Sequence, residues 1–166
     1  GIEQIRLALI RKLNGRVHQH TLMRGIGKIA VAAACRNMTG RAAIEQRYDI
    51  APVTGGHTLG DLAIGPNGDV YVSDSNQPFV YRLRRDAATP ERIASPLFRS
   101  LQGLAAAPDG RALYVADYSH GLLRLDLATG DVTRLQDAPH STSLGIDGIV
   151  LHQNTIIGIQ NGVAPA

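Results

Sequence analysis

The sequence predicts an all-β fold, because two segments of the chain repeat each other and both consist of strand and turn signals. The segments are Leu59–Asp74 and Leu101–Asp117, and each contains Pro-Asn/Asp-Gly followed by Tyr-Val-x-Asp. Their spacing is 42 to 43 residues, and a third, fainter copy begins at Ile146–Ile149. Repeats of this length with short strands are typical of an array of small β units.

The first complete unit, residues 59–95, is predicted to form four short strands. A turn at Pro66–Gly68 follows the first strand, since proline presets φ while Asn and Gly tolerate positive φ. A loop at Ser75–Pro78 separates the second and third strands. The predicted strands are Asp61–Gly65, Val70–Ser73, Phe79–Leu83 and Glu91–Ala94.

The second unit, residues 101–137, has the same order of strands and turns. Its turn is Pro108–Gly110, and its predicted strands are Leu104–Ala107, Ala112–Ala116, Leu122–Leu127 and Val132–Leu135. A partial third unit, residues 146–166, contains the predicted strands Gly148–Leu151 and Thr155–Ile159. Residues 39–58 form the tail of a preceding unit, with Ile44–Ile50 as its outermost strand.

Four antiparallel strands in each unit of about 40–45 residues indicate the blade of a β-propeller. The alternative is a β-sandwich with an accidental repeat, but the recurrence of the whole turn-and-strand motif favours the propeller. The chain therefore contains about two to three four-stranded blades of a propeller.

Residues 1–38 do not repeat this pattern and form an atypical basic segment. Ile5–Leu13 is predicted to be a short helix, and Gly25–Cys35 a loop that leads into an Ala-rich helix. A shifted reading frame or a misjoined segment is one hypothesis for this composition. Whether the segment is native to the propeller is left open.

The charge of the chain is unevenly distributed. Residues 1–43 hold eight Lys or Arg and one acid, whereas residues 44–166 hold nine Arg and thirteen acids. The basic segment has no aromatic residue to stack on bases, so we expect no nucleic-acid partner. No run of 18 uncharged apolar residues exists, so we expect no membrane span. The single cysteine, Cys35, leaves the compartment open between cytoplasm and periplasm.

From about residue 39 onwards, the chain resembles the senescence-marker-protein/gluconolactonase family of six-bladed propellers and, more loosely, the NHL-repeat propellers. The residues that carry the resemblance are Gly60–Ala63, Pro66–Gly68, Tyr71–Asp74, Gln102–Leu104, Pro108–Gly110, Tyr114–Asp117 and Asp147–Gly148. A six-bladed member needs more blades than this chain supplies, so the resemblance implies an internal part of a longer propeller.

The direction of the strands predicts which loops share a face. In each blade the loop before the first strand and the loop after the second strand lie on the same side. We therefore expect six spots to converge around one channel. These spots are Gly60–Asp61, Gln102–Gly103, Asp147–Gly148, Ser75–Asn76, Ser119–His120 and Asn161–Gly162. Asp61, Gln102, His120 and Asn161 are the predicted substrate-binding residues, with His120 at the channel mouth or, alternatively, an ordinary surface histidine.

The resemblance implies a divalent cation, Ca²⁺, Mg²⁺, Mn²⁺ or Zn²⁺, held by residues that precede the first strands. The family's ligands are two Asn, an Asp and a Glu from another blade. Asp147 matches the Asp, which also serves as general base, while Gln102 and Gly60 stand at the Asn positions and only Gln102 has an oxygen to offer. The alternative for Asp147 is a carboxylate that binds backbone N–H groups in a turn. Asp74 and Asp117, which recur in register, are predicted to brace their blades.

The resemblance implies that the parent protein hydrolyses small lactones or esters with the help of the metal. The alternatives are a non-catalytic propeller that binds a ligand or serves as a scaffold, and a fragment with no activity of its own. Two blades and part of a third leave strand edges open to self-association.

Overall fold

A computed structural model describes residues 46–84 and 86–161, together with the strand residues 8–9 and 28–31. The described residues form thirteen strands: β1 (Ala8–Leu9), β2 (Lys28–Val31), β3 (Gln46–Asp49), β4 (Leu59–Ile64), β5 (Val70–Asp74), β6 (Phe79–Leu83), β7 (Glu91–Ala94), β8 (Leu101–Ala106), β9 (Ala112–Asp117), β10 (Gly121–Asp126), β11 (Val132–Arg134), β12 (Ile146–His152) and β13 (Thr155–Gln160). No helix within these residues is long and apolar enough to cross a membrane.

Two antiparallel four-stranded sheets correspond to the two complete units of the sequence. Strands β4–β7 form blade I and strands β8–β11 form blade II, each with its strands in chain order across the sheet. Strands β12 and β13 pair antiparallel and form the first half of blade III. The first strands β4, β8 and β12 lie side by side, as the inner strands of consecutive propeller blades do.

The blades are held together by two apolar layers that use opposite faces of blade II. Strand β9 is buried along its whole length, because its side chains alternate between the two neighbouring blades. Leu113 and Val115 pack towards blade I, with Tyr71 and Val80. Ala112, Tyr114 and Ala116 pack towards blade III, with Ile146 and Ile156.

A two-stranded sheet precedes blade I. Strand β3 pairs antiparallel with β2, and Tyr48 and Ile50 pack against the free face of blade I in a third apolar cluster. The predicted strand Ile44–Ile50 is confirmed at residues 46–49. The domain boundary at residue 38 stays a prediction, and the β2–β3 pair joins residues from both sides of it.

The prediction of helices before residue 38 is wrong at the positions that the structure describes. Lys28–Val31 is a strand rather than part of an Ala-rich helix, because pairing with β3 outweighs the weak helix propensity of four residues. Ala8–Leu9 is also a strand and pairs parallel with β13. The rest of the two predicted helices lies outside the described residues.

Candidate functional site

Each first strand contains an irregularity at the place where the candidate residues lie. The residues concerned are Gly60–Asp61 in β4, Gln102–Gly103 in β8 and Asp147 in β12. We expected these residues in loops before the strands, and that boundary is wrong, because each strand begins earlier and continues through a bulge. A bulge bends its strand and re-aims the local side chains, and bulges are frequent next to functional sites.

Asp61 links blade I to blade II. Its Oδ2 accepts a hydrogen bond from the backbone N of Leu104 at 3.0 Å, across 43 positions of sequence. Its own backbone N donates to Ser73 Oγ at 2.9 Å. The half-buried carboxylate is therefore held in place by the neighbouring inner strand.

Asp61 and Asp147 lie on the first strands of blades I and III, and the negative charge of Asp147 acts on the Asp61 carboxyl. Burial raises the pKa of the Asp61 carboxyl above its usual value, backbone N–H groups of Leu104 and Leu62 lower it, and the negative charge of Asp147 raises it further. The net result is a raised pKa. The two carboxylates thus belong to the strands that flank β8 on either side.

Asp147 is exposed and has a side-chain partner from the same blade. Asn161 Nδ2 donates to Asp147 Oδ2 at 3.1 Å, and the backbone N of Asn161 donates to Gly145 O at 3.1 Å. The two residues lie at adjacent ends of β12 and β13, as the argument from strand direction predicts.

Gln102 lies on β8 between the two carboxylates and is half-buried. Its side-chain Nε2 donates weakly to Ser100 Oγ at 3.4 Å. Its backbone O accepts a short hydrogen bond of 2.6 Å from Ser73 Oγ. Its amide oxygen is therefore the group that this residue can offer to a ligand.

Sequence reasoning missed Ser73 and Ser75, which join blade I to blade II. Ser73 is fully buried and bonds both Asp61 N and Gln102 O, while Ser75 Oγ donates to Leu101 O at 2.8 Å. The only available signal was a break in the repeat, since blade II has Ala116 where blade I has Ser73.

Gly60 stands where the resemblance implies an Asn ligand, and a side chain there would crowd two serine hydroxyls. A Cβ at Gly60 would lie 2.9 Å from Ser73 Oγ and 3.1 Å from Ser75 Oγ. The same kind of close approach occurs at Gly103, where a Cβ would lie 2.5 Å from the backbone N of Ile149. Glycine at position 60 therefore allows the serine bonds between blades and has no side-chain atom to offer to a cation.

His120 forms its side-chain hydrogen bond away from the other four candidates. Its Nδ1 donates to Leu97 O at 2.7 Å, and its backbone N donates to Asp117 Oδ1 at 3.0 Å. The half-buried ring thus ties the loop after β9 to the segment before β8. Asp147 and Asn161 are hydrogen-bonded, Asp61 and Gln102 lie on the neighbouring inner strands, and His120 has a separate set of contacts.

The prediction that Asp74 and Asp117 brace their blades is confirmed. The fully buried Asp117 accepts hydrogen bonds from four backbone N–H groups, those of Arg99, Ser100, Ser119 and His120. Asp74 accepts three backbone N–H bonds and also contacts His57 Nδ1 at 2.7 Å. Both carboxylates therefore accept hydrogen bonds from the loops that flank their blades.

The donor set of the site consists of oxygen atoms, which suits hard divalent cations. The carboxylates of Asp61 and Asp147 carry the charge, and Gln102 and Asn161 offer amide oxygens. Within the described ranges, no group of three or more His, Cys, Asp or Glu residues is arranged to hold a metal ion. The fit to a cation therefore rests on two carboxylates supplemented by amides.

The four-stranded blades, their side-by-side inner strands and the site at one end define a class of protein, the β-propellers. Two solved structures of propeller-type proteins are similar to this chain. Virginiamycin B lyase from Staphylococcus aureus matches with a TM-score of 0.60 and 17% identity, over 81% of this chain and 42% of that one. The nidogen/laminin complex matches with a TM-score of 0.58 and 19% identity, over 76% of this chain and 46% of that one.

At this level of identity the likeness shows the fold alone. The chain is part of an all-β propeller and spans less than half the length of these two solved structures. No protein-family model and no curated protein matches the chain.

Proposed function

We propose that this chain forms part of the channel wall of a longer propeller whose activity is the metal-assisted hydrolysis of small lactones or esters, as in the gluconolactonase type. The observation that carries the proposal is the position of Asp61 and Asp147 on β4 and β12, the two inner strands that flank β8, with the charge of Asp147 acting on Asp61. Two carboxylates of like charge repel each other, and a divalent cation between them would remove that repulsion.

The residues of the chain have distinct roles in this proposal. Asp61 and Asp147 hold the cation, and the amide oxygens of Gln102 and Asn161 complete its ligands or orient the substrate. The bound cation would polarise the carbonyl of a lactone or ester. Asp147 is exposed and keeps one carboxylate oxygen beyond its bond to Asn161, so it is the general base of the proposal.

A non-catalytic propeller that binds a ligand or serves as a scaffold is the second candidate, and a specific observation favours it. The side chains of Ser73 and Ser75 fill the place of an implied ligand at Gly60. In addition, Asp61 already bonds a backbone N–H of the next blade, and His120 bonds a backbone carbonyl. These contacts stabilise the stacking of blades whether or not a ligand is present.

Calorimetric titration of the 166-residue chain with Ca²⁺, Mg²⁺, Mn²⁺ and Zn²⁺ separates the two candidates. We expect one of these cations to bind, the binding to be lost in Asp147→Ala and weakened in Asp61→Asn. Asp131→Asn is the matched control, since it removes an exposed carboxylate in the turn between β10 and β11. Absence of binding, or binding that survives Asp147→Ala, would favour the scaffold.

A further inference from the structure

A cavity of about 320 Å³ lies between blade II and blade III, at the end opposite to the candidate site. The turn between β8 and β9 and the turn between β12 and β13 form its rim. Its lining is of mixed polarity and includes Ala107, Ala112, Tyr114, Arg124, Leu151 and Ile156. A cavity of this size lies at the lower end of the range of small-molecule sites.

Blade I differs from blade II beside the equivalent arginine, and the repeat shows how. Asp69 and Ala112 occupy equivalent positions, because the backbone O of each closes the same turn, with Gly65 N at 2.8 Å and with Ala107 N at 2.9 Å. Arg82 and Arg124 are also equivalent, since each lies opposite the tyrosine of its Tyr-Val-x-Asp motif. The difference between the blades is therefore a carboxylate in one and a methyl group in the other.

In blade I the chain provides its own carboxylate for the arginine. Arg82 Nε and Nη2 both donate to Asp69 Oδ2, at 2.8 and 2.7 Å, and the guanidinium lies 5.8 Å from the centre of the Tyr71 ring. The two side chains are only 17% and 8% exposed. Arg82 and Asp69 thus form a closed, half-buried ion pair against the tyrosine.

In blade II the arginine has a weaker partner. Arg124 Nη1 contacts Asp126 Oδ2 at 3.4 Å, and the Arg124 side chain is 33% exposed. Asp126 also accepts hydrogen bonds from the backbone N of Ala128 and of Thr129. Arg124 lines the cavity, and only its Nη1 takes part in the contact with Asp126. The other N–H groups of the guanidinium are therefore the donors that it offers to a ligand.

We propose that the cavity binds a small organic monocarboxylate, whose carboxylate takes the position that the Asp69 side chain holds in blade I. Arg124 donates two parallel hydrogen bonds to it, as guanidinium groups do with carboxylates. The apolar body of the ligand packs against Pro108 and Leu151. The exposed carboxylate of Asp109 at the rim disfavours a second negative charge on the ligand, which is why a monocarboxylate fits.

Titration of the isotope-labelled 166-residue chain with benzoate, followed by amide chemical shifts, tests the proposal. Benzamide serves as the neutral probe of the same shape. We expect benzoate to shift amide signals around Ala112 and Ile156 with a dissociation constant of about 1 mM, and benzamide to bind about tenfold more weakly. Arg124→Gln should weaken benzoate binding about tenfold.

Ala112→Asp is the variant that the repeat itself suggests. It supplies the carboxylate of blade I, so it should close the site and weaken benzoate binding by about tenfold or more. Arg134→Gln, an exposed arginine on β11, is the matched control and should bind as the unmodified chain does. Dispersed amide signals show that each variant folds. If Ala112→Asp does not fold, the comparison of Arg124→Gln with the unmodified chain still tests the proposal.

Three results would overturn the proposal. These are equal affinity for benzoate and benzamide, unchanged affinity in Arg124→Gln, and the absence of any benzoate-dependent shift at about 10 mM. None of these results bears on cation binding at the opposite end of the blades, so this inference and the proposed function fail independently.

Discussion

Replacing Gly60 with alanine measures how tightly the inner strands of blades I and II fit together. The new Cβ would lie 2.9 Å from Ser73 Oγ and 3.1 Å from Ser75 Oγ, closer than such atoms normally approach. Overpacking of this kind costs about 1–3 kcal/mol. We expect Gly60→Ala to lower the free energy of unfolding by an amount in this range.

Ser73→Ala has a cost of its own, because the hydroxyl forms two hydrogen bonds in a fully buried place. Its removal leaves Gln102 O and Asp61 N without the bonds of 2.6 and 2.9 Å. Two lost hydrogen bonds lower the free energy of unfolding by about 2 kcal/mol. In a chain of this size that corresponds to a fall in melting temperature of roughly 4–8 °C.

The two changes should be less costly together than their sum. Ser73→Ala removes the closer of the two atoms that the Gly60→Ala methyl group meets, so we expect a coupling energy of about 1 kcal/mol. Urea unfolding of the four proteins, followed by circular dichroism, measures it. Gly148→Ala is the control, because a Cβ at Gly148 meets nothing within 4 Å. Costs that add to within about 0.3 kcal/mol would refute the argument from steric contact.

Three further predictions concern charged groups. Burial and then the charge of Asp147 raise the pKa of Asp61, so the folded state binds this proton more readily than the unfolded state does. Ionised Asp61 therefore reduces stability above its folded pKa, and Asp61→Asn should melt higher than the unmodified chain at neutral pH, with the difference shrinking as the pH falls through that pKa. Asp117→Ala leaves four N–H groups without an acceptor and should lower the free energy of unfolding by about 3–5 kcal/mol, measured in urea. Arg82→Gln breaks a half-buried pair and should cost about 2–3 kcal/mol, whereas Arg124→Gln should cost less than about 0.5 kcal/mol in the same assay.

Each of these predictions has a result that contradicts it. A melting-temperature difference for Asp61→Asn that is independent of pH would show that its charge is not what reduces stability. Asp109→Ala is the control for Asp117→Ala, since Asp109 is exposed and accepts a hydrogen bond from one backbone N–H. If both variants lower the free energy of unfolding equally, the bracing role of Asp117 is contradicted. Equal costs for the two arginine variants would contradict the difference between the blades on which the proposed carboxylate site rests.

The strands of the two complete blades were predictable because their signals are local. Phe79–Leu83 and Glu91–Ala94 have the predicted bounds, and the turns at Pro66–Gly68 and Pro108–Gly110 lie where the repeat indicates. Alternation of side chains and the backbone preferences of Pro, Asn and Gly act within a few residues. The recurrence of the motif added what no single strand reveals, namely the blade as the unit of the fold.

The two strands before residue 38 could not be predicted in this way. Lys28–Val31 lies in a run with helical character, and its strand conformation depends on a partner at Gln46–Asp49. The pairing of Ala8–Leu9 with β13 joins residues more than 140 positions apart, with Ala8 opposite Ile157. Local propensity carries no information about such partners.

The candidate site shows the same division. The repeat alone placed Asp61, Gln102, Asp147 and Asn161 at one end of the blades, because strand direction follows from the order of strands and turns. The packing of blade against blade decided which contacts form. Asp61 accepts a hydrogen bond from Leu104 N and is affected by the charge of Asp147, whereas His120 donates to Leu97 O. Ser73 and Ser75 fill the space beside Gly60. These contacts depend on the distance between neighbouring inner strands, which is set by the side chains between the blades and not by any local pattern in the chain.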